Sequence, residues 1–145
     1  LMLFGALSAR RTEQALLRGN AVTERFGLTL TPEQCGRLLE RRAEALRETE
    51  RIEPGEGILP KLAVALCDSP CVGPENWEDA LGGLTELFYH FKGACGERLG
   101  DDELLAALVR LYNGWAGGCA DRIADLDGRA MLRFARTGRV GDDGE

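Results

Sequence analysis

The chain has 145 residues, long enough for one domain with its own core and short for two. Its formal net charge is -6, with 18 Lys and Arg against 24 Asp and Glu, which disfavours a general binder of phosphate backbones. The longest apolar run, residues 62–67, falls far short of the roughly 20 residues that cross a bilayer, so no membrane span is expected.

Residues 1–30 read as an N-terminal helical segment whose docking the sequence leaves open. An apolar helical pattern covers residues 6–17, Gly19-Asn20 reads as a break, and a short helical turn over 21–26 leads into an extended stretch, 27–30. Thr31-Pro32-Glu33-Gln34 is a start signal: a Thr cap, Pro at the first helical position, and Gln placed to close a capping box. Behind it Cys35, Leu38, Leu39, Ala43 and Leu46 share one stripe, and the helix is expected to stop near Ile52, ahead of Pro54-Gly55-Glu56-Gly57. Glu33 and Arg37, spaced i to i+4, are expected to pair for about 0.2–0.5 kcal/mol.

The next segment, about 57–68, is apolar on every side; Lys61 is its only charge between Ile58 and Cys67. Without a polar stripe it is expected to be a central helix wrapped by the others. Asp68-Ser69-Pro70 closes it, and Gly73-Pro74-Glu75-Asn76 forms a loop whose last residue is placed to cap a helix starting at Trp77. In that helix Trp77, Ala80, Leu81, Leu84, Leu87, Phe88 and Phe91 recur every three or four residues, the clearest seam in the chain. Gly82 and Gly83 lie inside it at a cost of about 1 kcal/mol each, which implies a close approach or a bend.

Gly93 and Gly96 bracket the end of this helix, and Gly100-Asp101-Asp102-Glu103 opens another with acids where the macrodipole favours them. Its buried stripe is Leu104, Leu105, Leu108, Leu111, Tyr112 and Trp115. A shorter helix is expected over 119–126 and a last one over 129–136, with Asp127-Gly128 between them. Residues 138–145 present no apolar face and are expected to be disordered. The reading is an all-α, single-domain, irregular multi-helix bundle packed around the 57–68 helix, with residues 31–137 as its core domain.

Gly57-Ile58-Leu59-Pro60-Lys61, Cys67-Asp68-Ser69-Pro70, Phe88-Tyr89-His90-Phe91-Lys92 and Asp101-Asp102-Glu103-Leu104, in this order, resemble an uncharacterised family of small helical bacterial proteins, a domain of unknown function found mostly in anaerobic Gram-positive lineages. The resemblance spans about 31–126. Gly100 stands where that pattern has a Ser cap. The resemblance implies a soluble helical domain with no assigned reaction.

His90 is the only histidine. On a helical wheel it shares a face with Asp79 and Glu86, and Glu86 and His90, one turn apart, form a candidate metal pair with Asp79 and, more remotely, Asp68. A solvated helix face is the simpler account, since a metal site normally shows a third and fourth ligand in its spacing.

The five cysteines, at 35, 67, 71, 95 and 119, contain no Cys-x-x-Cys pair, and their odd number suits reduced core thiols. Cys71, in a turn, is expected to be the most exposed. Asp68-Ser69-Pro70 reads as a helix-ending turn better than as a nucleophile. Trp115, among glycines, either seals the core or anchors a partner.

Residues 1–7 are apolar and precede Arg10 and Arg11, the reverse of a signal peptide, which points to the cytoplasm. Leu1 ahead of Met2 leaves the translation start undefined. No cofactor motif is present, and the sequence favours a non-catalytic adaptor or regulatory domain that binds another protein, with a second copy of the chain as one candidate. The alternatives are a metal-dependent enzyme or metal-binding protein around Glu86 and His90, and a nucleic-acid accessory using Arg129, Arg133, Arg136 and Arg139.

Overall fold

The structure, a computed structural model, describes residues 2–140, with side chains from residue 9 onward. Seven α-helices and one 3-10 turn make a single all-α domain, with no strand among the described residues.

Helix α1 (Met2–Thr23) runs straight through Gly19-Asn20, where the sequence reading placed a break. Asn20 has another task. Its side-chain amide donates to the Leu30 carbonyl (2.9 Å) and its oxygen accepts from the Leu30 amide (2.8 Å), pinning the extended stretch after the 3-10 turn Glu24–Phe26. Gly27, at φ 76°, lets the chain reverse there. Thr12, Ala15 and Leu16 are buried, and α1 packs on α2 (Pro32–Glu48) and α3 (Leu59–Leu66).

Helix α2 begins as its capping box dictates: Gln34 N donates to Thr31 Oγ1 (3.1 Å) and Thr31 N to Gln34 Oε1 (2.8 Å). It ends at Glu48, short of Ile52, because Glu50 turns left-handed (φ 56°) and the amides of Glu50 and Arg51 bond back to the Arg47 and Leu46 carbonyls. That is a Schellman closure with a non-glycine at its pivot.

Helix α3 departs from the fully wrapped rod expected of residues 57–68. Leu59, Leu62, Ala63 and Leu66 are buried, while Lys61, Val64 and Ala65 face solvent. Eight residues give little more than two turns, and the neighbours α1, α4 and α5 close over one side only.

The hub is α4 (Trp77–Ala94), which touches α2, α3, α5, α6 and α7. Trp77, Leu81, Leu84, Phe88 and Phe91 on it are all at most 2 % exposed. Its lead-in loop is tied by Asn76, which forms no cap bond; instead it accepts from Gly73 N (2.7 Å) and donates to Cys71 O (3.0 Å).

Helix α5 (Asp101–Asn113) starts with Gly100 N donating to Glu103 Oε1 (3.1 Å). Asp101 and Asp102 pair with Lys92 (2.9 Å) and Lys61 (3.4 Å), so the acidic triplet is accounted for internally. Helix α6 (Ala120–Ala124) is one short turn. Helix α7 (Gly128–Thr137) is capped by Asp127, whose Oδ1 accepts from Ala130 N at 2.7 Å. Gly138, left-handed at φ 76°, ends α7, and Val140 packs against the core. From residue 141 on, the tail expected to be disordered lies outside the described residues.

Candidate functional site

The stripe that the helical wheel drew on α4 lines a real groove. Asp79, Gly83, Glu86 and His90 face it from α4, Arg41 from α2, Tyr112 from α5, and Gly118, Ala120, Asp121 and Ala124 from the last third of the chain; its volume is about 430 Å³. Ala80 and Leu87, both nearly buried, supply apolar floor. Two small residues keep the concavity open: a Cβ on Gly83 would come within 3.6 Å of the Ala120 Cβ.

One wall is braced by Arg41. Its Nε and Nη2 donate to the two Glu86 oxygens (2.8 and 3.0 Å), and Nη1 donates to Asp79 Oδ1 (3.2 Å). Its guanidinium lies across Gly82, where a Cβ would stand 2.3 Å from Nη1. The glycine pair in α4 is thus a place of close approach, as its sequence implied. The Glu86 hydrogen bond also holds the Arg41 pKa above its ordinary value.

Asp79, Glu86 and His90 are therefore brought together as expected, but in a setting built for a cation from the protein itself. Both Glu86 oxygens are occupied by Arg41. His90 is exposed, its ring centroid 4.8 Å from that of Phe91 in a T-shaped arrangement, and no group of three His, Cys, Asp or Glu spaced to hold a metal occurs among the described residues. Asp68 is elsewhere. It sits beyond α3, whereas the groove opens between α4 and α2 and the 118–124 segment, not between α4 and α3.

Tyr112 is the groove residue that sequence reasoning missed, because its place in the buried stripe of α5 hid its polar end. The side chain is nearly enclosed, with the residue 3 % exposed, yet it lines the groove and its hydroxyl forms no hydrogen bond among the described residues. Burial raises the phenol pKa, and Cys71, Asp79 and Cys119 nearby raise it further.

A second polar cluster was also missed in the sequence. Glu53, in the loop after α2, accepts from Arg42 Nε (2.9 Å), from the Tyr89 hydroxyl and from Ile58 N (3.1 Å). Arg42 and Tyr89 are 5 % and 2 % exposed, so this is an interior ion pair. Arg42 shares the buried stripe of Cys35, Leu38 and Ala45, and that position was the available signal. From the other side Thr12 Oγ1 donates to Glu56 O (2.9 Å) and Arg18 pairs with Glu56 (3.0 Å), which clamps the loop onto α1. The cluster is enclosed and fully paired, and it serves the fold.

Ser69 Oγ accepts from Cys71 N (3.0 Å) and bonds Asn113, as a turn-stabilising serine does. All five cysteines are free; Cys35, Cys67 and Cys95 are buried, with thiol pKa values raised chiefly by burial, Cys71 is partly buried, and Cys119 is the exposed one. Trp115 is 36 % exposed beneath the Arg122 guanidinium, 4.3 Å from its ring centroid. Arg129, Arg133, Arg136 and Arg139 are exposed on and just after α7. No helix among the described residues is long and apolar enough to cross a membrane.

Comparison with curated proteins and with solved structures finds no match in either. The expected kinship with an uncharacterised helical family holds: residues 15–144 match the family of unknown function DUF6323, and the chain belongs to it.

Proposed function

We propose that the chain is a non-catalytic, cytoplasmic interaction domain, adaptor or regulator, that receives a protein partner in the groove between α2, α4 and residues 118–124. The observation that supports this reading is the preformed concavity itself. Its wall is locked by the Arg41–Glu86–Asp79 bridge and its floor is apolar, which lowers the ordering cost of docking. Three carboxylates line it against one guanidinium, so a partner with basic side chains is favoured by charge as well as shape.

The test is site-specific photocrosslinking in the native cell. A crosslinking residue at exposed, groove-lining Ala124 should capture one discrete protein, and the same residue at exposed Ala106 on α5 should not. No adduct at Ala124, or identical adducts from both positions, overturns the proposal. Stoichiometric metal bound to the purified chain and lost on His90→Ala would favour the metal reading instead.

A further inference from the structure

Resting on that reading, we infer that the groove takes a single basic side chain of the partner, its aliphatic stem against the Ala80–Leu87 floor and its cationic head among Asp79, Asp121 and the Tyr112 hydroxyl. The charge balance of the site comes first. Arg41 uses both oxygens of Glu86 but only one of Asp79, whose side chain is 90 % exposed. Asp121 forms no ion pair or hydrogen bond among the described residues. Two carboxylates therefore remain open toward the groove after the internal cation is satisfied.

Tyr112 is the independent observation. The residue is 3 % exposed, yet its hydroxyl is not sealed from water, and an unpartnered phenol open at the edge of a cavity can exchange that water for a ligand. Its hydroxyl has lone pairs to accept from a cation and a proton to give to a carboxylate. The Asp79 charge already reaches it, since that carboxylate raises the Tyr112 pKa.

The floor supplies the rest. Lys and Arg lay methylene stems on apolar surface and keep the charge at a polar rim, and this groove has that order of surfaces. Its volume of about 430 Å³ admits a side chain and is too small for a docked helix face.

The experiment is a heteronuclear NMR titration of the full chain with the capped peptide acetyl-Gly-Lys-Gly-amide. Its controls are the norleucine peptide, which keeps the stem and removes the charge, and n-butylamine, which keeps the amine and removes the peptide. The lysine peptide should shift the resonances of Tyr112, Asp121 and Ala124 and bind at least about tenfold more tightly than the norleucine peptide. Asp79→Asn with Asp121→Asn should weaken it about tenfold or more. Tyr112→Phe should weaken it about two- to fivefold at unchanged melting temperature, since no hydrogen bond is lost in the free protein. Ala124→Phe, at an exposed position, should block it.

Equal binding of the lysine and norleucine peptides, shifts that map elsewhere, or full affinity in the doubly neutralised chain would each overturn the inference. Butylamine, which carries the same stem and charge, should shift the same resonances, and shifts confined to other residues would overturn the inference too. A discrete adduct at Ala124 together with indifference to the lysine peptide would leave the interaction reading standing and remove only this assignment of the occupant.

Discussion

Arg41 reaches Glu86 by passing directly over Gly82, so closely that the missing side chain of Gly82 is the space its guanidinium occupies. The two residues are coupled although they form no hydrogen bond. The atoms that a Cβ on Gly82 would meet, Nη1, Cζ and Nε at 2.3 to 2.8 Å, are the movable end of a long side chain. In Gly82→Ala the arginine gives way and α4 stays. The lost bridge costs about 0.2–1 kcal/mol at this half-exposed position. Alanine in a helix interior returns about 1 kcal/mol. The single variant should therefore be near neutral in chemical denaturation. Made in an Arg41→Ala background, the same change should stabilise by the full amount of about 1 kcal/mol. Equal effects in both backgrounds would show that the crossing does not exist.

Glu53 holds Arg42 and Tyr89 in the interior, and Glu53→Gln should cost about 3–5 kcal/mol by leaving the guanidinium buried without a countercharge. Replacing Arg42 and Glu53 by apolar residues of similar size, together with Tyr89→Phe so that no buried hydroxyl is left without its acceptor, should cost much less than the single change. Urea denaturation of the single and triple variants decides it; a triple variant as unstable as Glu53→Gln would mean that packing, not charge, sets the cost.

Tyr89 gives this cluster a pH signature. Burial, and then the Glu53 carboxylate, hold its pKa above the ordinary phenol value. On unfolding the phenol reverts to about 10 and releases its proton above that pH. Stability is whole below about pH 10 and falls as pH rises beyond it, by up to about 1.4 kcal/mol per unit from this group. Cys35 adds a similar slope at slightly lower pH, since its thiol is pushed from 9.0 to about 11. Unfolding free energies measured from pH 8 to 11 should bend downward, and Tyr89→Phe should flatten the part above pH 10. An unchanged slope in that variant would refute the assignment.

The Thr85 hydroxyl is buried in α4 with no hydrogen-bond partner among the described residues. Valine has the same shape without the unmet polar group. Thr85→Val should raise stability by about 1 kcal/mol or more, read as a higher urea midpoint at constant m-value. A loss of stability would mean that the hydroxyl has a partner, such as a buried water.

What was legible in the sequence was what neighbouring residues encode together. The capping box at Thr31 and the α4 seam are local patterns, and both are present in the structure. So is the Asp79–Glu86–His90 stripe. What it faces was not legible, because Arg41, Tyr112 and Asp121 arrive from three other parts of the chain by tertiary packing. Arg37 shows how such packing overrides local rules. In place of the expected i to i+4 contact with Glu33, it pairs through two 2.8 Å bonds with Glu78, on another helix. Asn20 misled for a similar reason, since its turn chemistry serves Leu30 while the helix around it continues. Glu53 lay in a breaker-rich loop, where nothing in the spacing announces a buried acid.

Gly128 offers a sharp test of the packing of α7 on α4. A Cβ there would lie 2.0 Å from the Ala94 carbonyl oxygen and 2.7 Å from its carbon, and both are backbone atoms that cannot swing aside. The contact is reinforced by the Cys95 thiol, which donates to the Gly128 carbonyl at 3.5 Å. Gly128→Ala gains helix propensity at the first position of α7, yet it must push α7 away from the end of α4. The strain of such overpacking is about 1–3 kcal/mol, which exceeds the gain. The loss should appear first as hydrogen exchange in α7, where Met131 and Phe134 are the buried anchors, before the rest of the core opens. The expected result is a lower melting temperature with selectively faster exchange of α7 amides. Wild-type stability in this variant would mean that α7 does not pack as closely on α4 as the structure places it.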